Sequence, residues 1–478
     1  MSSSSISSLS AELLTLIVNC LGSDTSSLHS LCLVSKVFSR LATPNLYTTY
    51  QQPESWPPEK ATRFISYVRT ILSRPDLAVH VKHVALGKAD SDEGLVDSVS
   101  PDFVDLCRDR ITSLWSPKLT EEKFVSEWVE GIKQALPEAL QGVLLSSLPN
   151  IESLYFEEGY QPKHLFQVLD AVTESDPSAK HVPARKLRSV RTLSVEGKYG
   201  YLDFAKCSSF FRLPTLRNFE IGLANGEWSE DSVWNVPAHS AAVEKLSFQY
   251  SALTCCCMRQ IVRSCASLRE FRFTYGRIHM YSVHFTPKEL LEELLAHAAT
   301  LEAVWLNFDD NWQKGEWEEI PTERLVLDTS LKQLNKLKTM SINSHALLGH
   351  GVEPIETFVE RTNRPFVLAN LADMLPESIE FLEIIGCTEV AVFPQLVVLR
   401  TAQRQGRLTR VSTIRLIWAN EILKPDVSRA DIERFEMPGV RIDNLFMNVR
   451  ERDASIDTAV ENTSSELFGK DLFLLQGS

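Results

Sequence analysis

The chain has 478 residues, with 49 Lys and Arg against 62 Asp and Glu and a formal net charge of -13. That length holds two or three ordinary domains, or one small domain followed by a repeat array. The acidic balance, without a basic run, excludes a nucleic-acid footprint and attachment to an anionic membrane surface, which leaves proteins or neutral ligands as partners.

The first residues, "MSSSSISS", carry no basic n-region, and the apolar run "LLTLIVNCLG" after Glu12 is too short to span a bilayer. Ser8 or Ser10 can cap a helix whose apolar residues, from Leu13 to Leu21, go nearly all the way round. Gly22 ends it, and Asp24 to Ser27 supplies a turn and a second cap. Leu28, Leu31, Cys32, Val34, Val37, Phe38 and Leu41 then recur at helical spacing up to Pro44. Residues 1–50 therefore read as a small domain of two or three helices. About forty residues rarely supply a self-sufficient core, so this one is expected to lean on a partner.

The proline-punctuated "QQPESWPPEK" marks a boundary, and 51–75 reads as a linker with the first helix of the next domain. From 76 to 446 a template repeats: apolar-x-x-apolar-x-apolar. It occurs as "VKHVAL" at Val81, "IESLYF" at Ile151, "VRTLSV" at Val190, "LRNFEI" at Leu216 and "VEKLSF" at Val243. It continues as "LREFRF" at Leu268, "LEAVWL" at Leu301, "LKTMSI" at Leu337, "IEFLEI" at Ile379 and "VSTIRL" at Val411. From Ile151 on, successive starts differ by 39, 26, 27, 25, 33, 36, 42 and 32 residues. Leucine-rich repeats have a period of about 20–29 residues, so these are regular and lengthened copies.

Return helices fit between copies, as at Met258 to Ser267 and at "TPKELLEELLAHAAT", where Thr286 is the cap. The predicted fold is α/β: a short helical domain, then an irregular leucine-rich-repeat solenoid of parallel strands and return helices. The 70-residue gap from Val81 to Ile151 reads as an insertion. It has an acidic loop near Asp90 to Asp97 and helices around Phe103 to Leu114 and Glu121 to Leu145. Residues 447–478 are polar and read as a cap or tail.

The segment "SLSAELLTLIVNCLGSDTSSLHSLCLVSKVFSRLATPNLY" resembles the F-box motif, most closely through Leu28, Leu31, Val34, Ser35, Lys36, Phe38, Leu41, Pro44, Leu46 and Tyr47. It departs from the motif at Ser10, where the family has proline, which removes a preset helix-start residue and predicts weaker adaptor binding with the fold retained. The resemblance implies that these helices dock on a Skp-type adaptor and through it a cullin. Position by position, Leu9, Leu13, Ile17, Leu28, Val34 and Leu41 are expected to face the adaptor, and Phe38 to hold the helices together. Together with "FISYVRTILSRPDLAVHVKHVAL" and the repeats, the chain is similar to fungal F-box proteins, in which the solenoid recruits the target.

On such strands the template residues point inward and the intervening ones face out on the concave side. Tyr155, Glu157, Glu220, Glu270, Arg272, Trp305, Asn307, Glu383 and Arg415 occupy outward positions, and the target-binding candidates are Tyr155, Glu270, Arg272, Trp305, Asn307 and Glu383. Trp305 beside Arg272 has the composition of a binding hot spot. A Trp covered by the following loop, "NFDDNWQKGEWEEIP", fits the sequence equally well, and that long loop is itself a candidate contact.

Nine cysteines without CxxC spacing read as reduced thiols of a cytoplasmic or nuclear protein. Cys255 to Cys257 point in three directions on a helix and read as buried small residues, not metal ligands. His279, His284, His345 and His350 show no HExxH spacing, and no nucleophile elbow, P-loop or dinucleotide fingerprint is present. The expectation is a non-catalytic substrate receptor with no cofactor and no metal. The alternatives are a leucine-rich-repeat scaffold without a ligase role and an enzyme with its pocket in the long insertions.

Overall fold

The structure is a computed structural model. It describes residues 9–22, 24–52, 58–87, 99–114, 122–157, 166–167, 187, 189–196, 202–203, 207–226, 234–276, 286–308, 322–349, 370–387, 389–418, 437 and 439–446. The acidic loop at 90–97, most of the 307–321 loop and the 447–478 tail lie outside these residues. The chain divides into two compact units. Met1–Lys198, Ser209–Leu216 and Ser465–Ser478 form the first, and Tyr199–Ser208 and Arg217–Ser464 form the second.

Unit 1 opens with three helices, α1 (Ala11–Cys20), α2 (Thr25–Val34) and α3 (Lys36–Thr48), each started by a side-chain cap. Ser10 Oγ accepts from Leu13 N (3.4 Å), Asp24 Oδ1 from Ser27 N (3.0 Å) and Ser35 Oγ from Phe38 N (3.3 Å). Ser10 thus provides at the helix start the hydrogen bond that a proline could not. Leu14, Val18, Leu28, Phe38 and Ala42 form a buried core, against which Leu21, Leu31, Cys32, Leu41 and Leu46 pack. Asn45 Nδ2 donates to Asn19 Oδ1 (2.9 Å), tying α3 to α1.

The third helix runs through Pro44 to Thr48 and does not stop at the proline. Proline removes one intrahelical donor, and the packing of Leu46 into the core holds the last turn in place. Strand β1 (Thr49–Gln51) follows with no intervening residue. It pairs with β2 (His83–Leu86), β2 with β3 (Ser153–Glu157) and β3 with β4 (Thr192–Glu196), all parallel. Between β1 and β2 lie α4 (Pro58–Ser73) and α5 (Pro75–Ala78). Tyr67 of α4 stacks on Tyr50 of β1, with ring centroids 4.2 Å apart, and on Tyr47 of α3 at 6.5 Å.

Between β2 and β3 lie α6 (Pro101–Leu114), α7 (Glu122–Lys133) and α8 (Pro137–Ser147). The single helix expected from Glu121 to Leu145 is two, because Ala135 takes a left-handed conformation (φ 51°) and Pro137 starts a new helix.

Unit 2 carries β6 (Asn218–Gly222), β8 (Lys245–Leu253), β9 (Glu270–Tyr275), β10 (Ala303–Asn307), β11 (Thr339–Asn343), β12 (Phe381–Cys387), β13 (Thr413–Trp418) and β14 (Arg441–Phe446), paired in that order and parallel. Two short strands, β5 (Leu202–Asp203) and β7 (Ala224–Gly226), pair with each other, and β7 pairs with β8. Helices return between strands at Cys255–Ser264, capped by Thr254, at Pro287–Leu294, with a capping box of Thr286 and Glu289, and at Glu389–Arg404.

Every one of the ten sequence templates forms a strand, β2, β3, β4, β6 and β8 to β13. The three apolar residues of each copy are buried, the most accessible being Val411 at 7 %. Registers keep equivalent positions side by side: Leu246 faces Phe271, Phe271 faces Val304, Val304 faces Met340, and Met340 faces Leu382. Backbone bonds repeat with the same phase, as from Arg269 N to Glu244 O, Glu302 N to Arg269 O and Lys338 N to Glu302 O, each 2.8 Å. The second template residue is charged in nine of the ten copies and forms ion pairs between copies, Lys82 with Glu152 (2.9 Å), Arg217 with Glu244 (3.3 Å), Arg269 with Glu302 (2.5 Å) and Lys338 with Glu302 (3.4 Å). Exposed pairs of this kind contribute about 0–1 kcal/mol each, so the buried template residues dominate the fold's stability.

Candidate protein-binding surfaces

The helices of unit 1 leave an apolar surface outside. Nine large apolar side chains are exposed among the described residues, and seven are Leu9, Leu13, Leu16, Ile17, Leu33, Val34 and Val37. Such a concentration is what a partner-binding patch looks like, whereas single exposed apolar residues carry no information. Of the six residues expected to face an adaptor, Leu9, Leu13, Ile17 and Val34 are exposed. Leu28 is not: it is fully buried in the helical core, and Leu41 is half-buried against that core. Six residues at 100° each place Leu28 and Val34 about 120° apart around one helix, so one can be buried while the other is exposed. Phe38 is 5 % exposed and holds the helices together as expected. Leu16, Leu33 and Val37 were missed, although a phase fixed by Leu28, Leu31 and Cys32 turns Leu33 and Val34 outward.

The second surface is the outward strand face of unit 2. One row reads Glu220, Ser247, Arg272, Trp305, Ser341, Glu383, Arg415 and Asp443, each beside the next. The Arg272 guanidinium lies over the Trp305 ring, 4.2 Å from its centroid. Glu383 accepts from Ser341 Oγ (2.6 Å) and from Arg415 (3.0 Å), and Arg415 also lies 5.1 Å from the Phe381 ring centre. Glu270 pairs with Lys245 at 2.5 Å, and Arg441 with Asp443 at 2.7 Å.

Of the six target-binding candidates, Arg272 and Trp305 are brought into contact as neighbours. Glu383 is committed to Ser341 and Arg415, Glu270 to Lys245, and Asn307 accepts from Asn343 Nδ2 (3.3 Å). Tyr155 belongs to unit 1, half-buried between Ala85 and Ser194 in register. Nothing in the sequence alone separates Glu270, Glu383 and Asn307, which are held by neighbouring side chains, from Arg272, because pairing depends on register across repeats.

The cysteines offer no activated thiol among those with a resolved shift. Burial raises Cys107, Cys265 and Cys387 to about 12, and burial followed by the Glu289 charge raises Cys255. In the consecutive trio Cys257 is buried and Cys255 half-buried, but Cys256 is exposed, against the expectation that all three are buried. All nine cysteines are free, and no cluster of three or more metal-ligating side chains occurs among the described residues. Of the four histidines considered, His279, His284 and His350 lie outside the described residues. No helix among the described residues is long and apolar enough to cross a membrane.

Parallel strands in a repeating register, with the template buried and an outward face of paired charges, define a leucine-rich-repeat solenoid. Residues 61–403 match the family model for the leucine-rich repeat domain, and the chain belongs to that family. As a class these domains are protein-binding scaffolds. No curated protein matches the chain.

Proposed function

We propose that the protein is the substrate-recruiting subunit of a Skp/cullin/F-box ubiquitin ligase. Helices α1–α3 dock on the Skp-type adaptor and through it the cullin, and the repeat domain holds a target protein. The observation that carries this reading is the apolar patch: among the described residues, seven of the nine exposed large apolar side chains lie in the segment that resembles the F-box. The mechanism is proximity: tethering raises the effective concentration of a target lysine near the charged conjugating enzyme, which asks for binding surface and fixed geometry but no reactive residue. The protein is then a non-catalytic component without cofactor or metal, acting in the cytoplasm or nucleus, where nine free thiols persist.

The test is co-elution of the full-length chain with a Skp-type adaptor, compared with a Leu13→Asp, Val34→Asp double variant. Both positions are exposed, so the variant keeps its helical core. Stable co-elution lost in the variant supports the receptor. A wild-type chain that elutes alone refutes it and leaves a scaffold without a ligase role.

A further inference from the structure

Charge on the outward face of unit 2 is nearly all committed. Glu270 has Lys245, Glu383 has Arg415 and Asp443 has Arg441, while the Glu220 carboxylate accepts from Gln249 Nε2. Arg272 stands apart: it is exposed and stacked on Trp305, and no carboxylate contacts it among the described residues. Stacking on an indole fixes a guanidinium in one plane while leaving its edge donors open. A fork ordered in this way loses less freedom when it takes a planar bidentate acceptor.

We propose that Arg272, held by Trp305, is the recognition point for a single Asp or Glu side chain on an extended segment of the target protein. This rests on the repeat domain being the target-binding surface. One uncommitted guanidinium balances one negative charge, which fits a carboxylate. A doubly charged phosphate asks for a second cation, and Lys245 on the adjacent strand is already paired with Glu270. Among the described residues the other cations of this face, Lys245, Arg415 and Arg441, are paired with carboxylates, so it lacks the run of free cations that a nucleic-acid backbone needs.

The experiment selects from a displayed peptide library on the full-length protein, then measures the winners as synthetic peptides by fluorescence polarisation. The expected winners carry Asp or Glu at one fixed position, and replacing it by Asn or Gln weakens binding about tenfold or more. In Arg272→Gln the acid-to-amide difference disappears, since its partner is gone. Selection on Arg272→Glu returns Lys or Arg at that position. Trp305→Leu weakens binding while keeping the preference for the acid. The proposal is overturned if no peptide is selected, if winners share no acid, or if the acid-to-amide loss is as large on Arg272→Gln as on wild type. Adaptor co-elution separates the two readings. A chain that binds acidic peptides but no adaptor sinks the ligase and keeps this site, and one that binds adaptor with the peptide results negative does the reverse.

Discussion

Leu28 and Val34 lie on one short helix with opposite environments, one fully buried and one 67 % exposed. Truncating Leu28 to alanine removes buried methyl groups from a core of only five fully enclosed side chains. Such substitutions cost about 2–5 kcal/mol, and so small a core has little room to collapse around the void. Val34→Ala forfeits only the covered third of a side chain whose complete burial is worth roughly 1.5–3 kcal/mol, so its cost stays below about 1 kcal/mol. Hydrogen exchange read on peptides covering Ala11–Cys20 and Thr25–Val34 follows the local opening of the bundle without interference from the repeats. A loss of about 3 kcal/mol lowers protection about a hundredfold. Leu28→Ala is therefore expected to strip protection from both helices, and Val34→Ala to leave it close to wild type. The inverse result, protection lost in Val34→Ala and kept in Leu28→Ala, would refute the assignment of inner and outer faces.

Three further outcomes follow from the repeat domain. A Cβ on Gly276 would sit 2.3 Å from the carbonyl carbon and oxygen of Tyr250, so Gly276→Ala must displace backbone. It is expected to cost about 1–3 kcal/mol, and an unchanged melting temperature counts against that close approach. Asn343 is fully buried, and its Oδ1 accepts from Phe308 N at 2.7 Å. Asn343→Leu orphans that amide at a cost of about 1–3 kcal/mol, measurable as a lower denaturant midpoint. His297 is buried, with Nε2 2.9 Å from Val262 O and Nδ1 accepting from Leu268 N. Burial, then the neighbouring His239 charge, lowers its pKa, while the Val262 carbonyl opposes the shift. The folded state takes up the proton less readily than the unfolded chain. Its contribution is thus full above the ordinary histidine value near 6.5 and lost as pH falls through the depressed folded value. Acid denaturation of His297→Gln is expected to lose part of the slope below pH 6.5, and an identical slope in both proteins would argue against a buried neutral ring.

The ten template strands were legible because three apolar residues at fixed spacing are buried together in every copy. The first and last strands were not, and their registers say why. Alignment of Thr413 with Arg441 puts Gly439 and Asn444 where β14 would need apolar template residues. Alignment of Thr49 with His83 puts Gln52 in the last apolar slot of β1. Gln52 is 3 % exposed there, and its amide is satisfied by Gly87 O (3.3 Å) and Gln141 Nε2 (3.0 Å). A pattern search for apolar residues passes over such a position. The apolar patch was legible in part, through Leu9, Leu13, Ile17 and Val34. A helix apolar nearly all round does not announce its inner face, and correspondence with the F-box motif at Leu28 does not fix the helical phase that buries it. On the repeat face the pairing of Arg272 with Trp305 could be read from equivalent positions in adjacent copies, whereas the commitment of Glu270 and Glu383 needed side-chain geometry.

The alignment of the strands is independent of what connects them. Template starts from Ile151 on are spaced anywhere from 25 to 42 residues, yet equivalent residues remain side by side. Each strand takes its place from its own buried triplet and its neighbour's carbonyls, not from the length of the return path. The connections are thus free to lengthen, shorten or be exchanged one at a time while the binding face stays in frame, so this architecture can acquire new specificities by editing segments that the core does not measure.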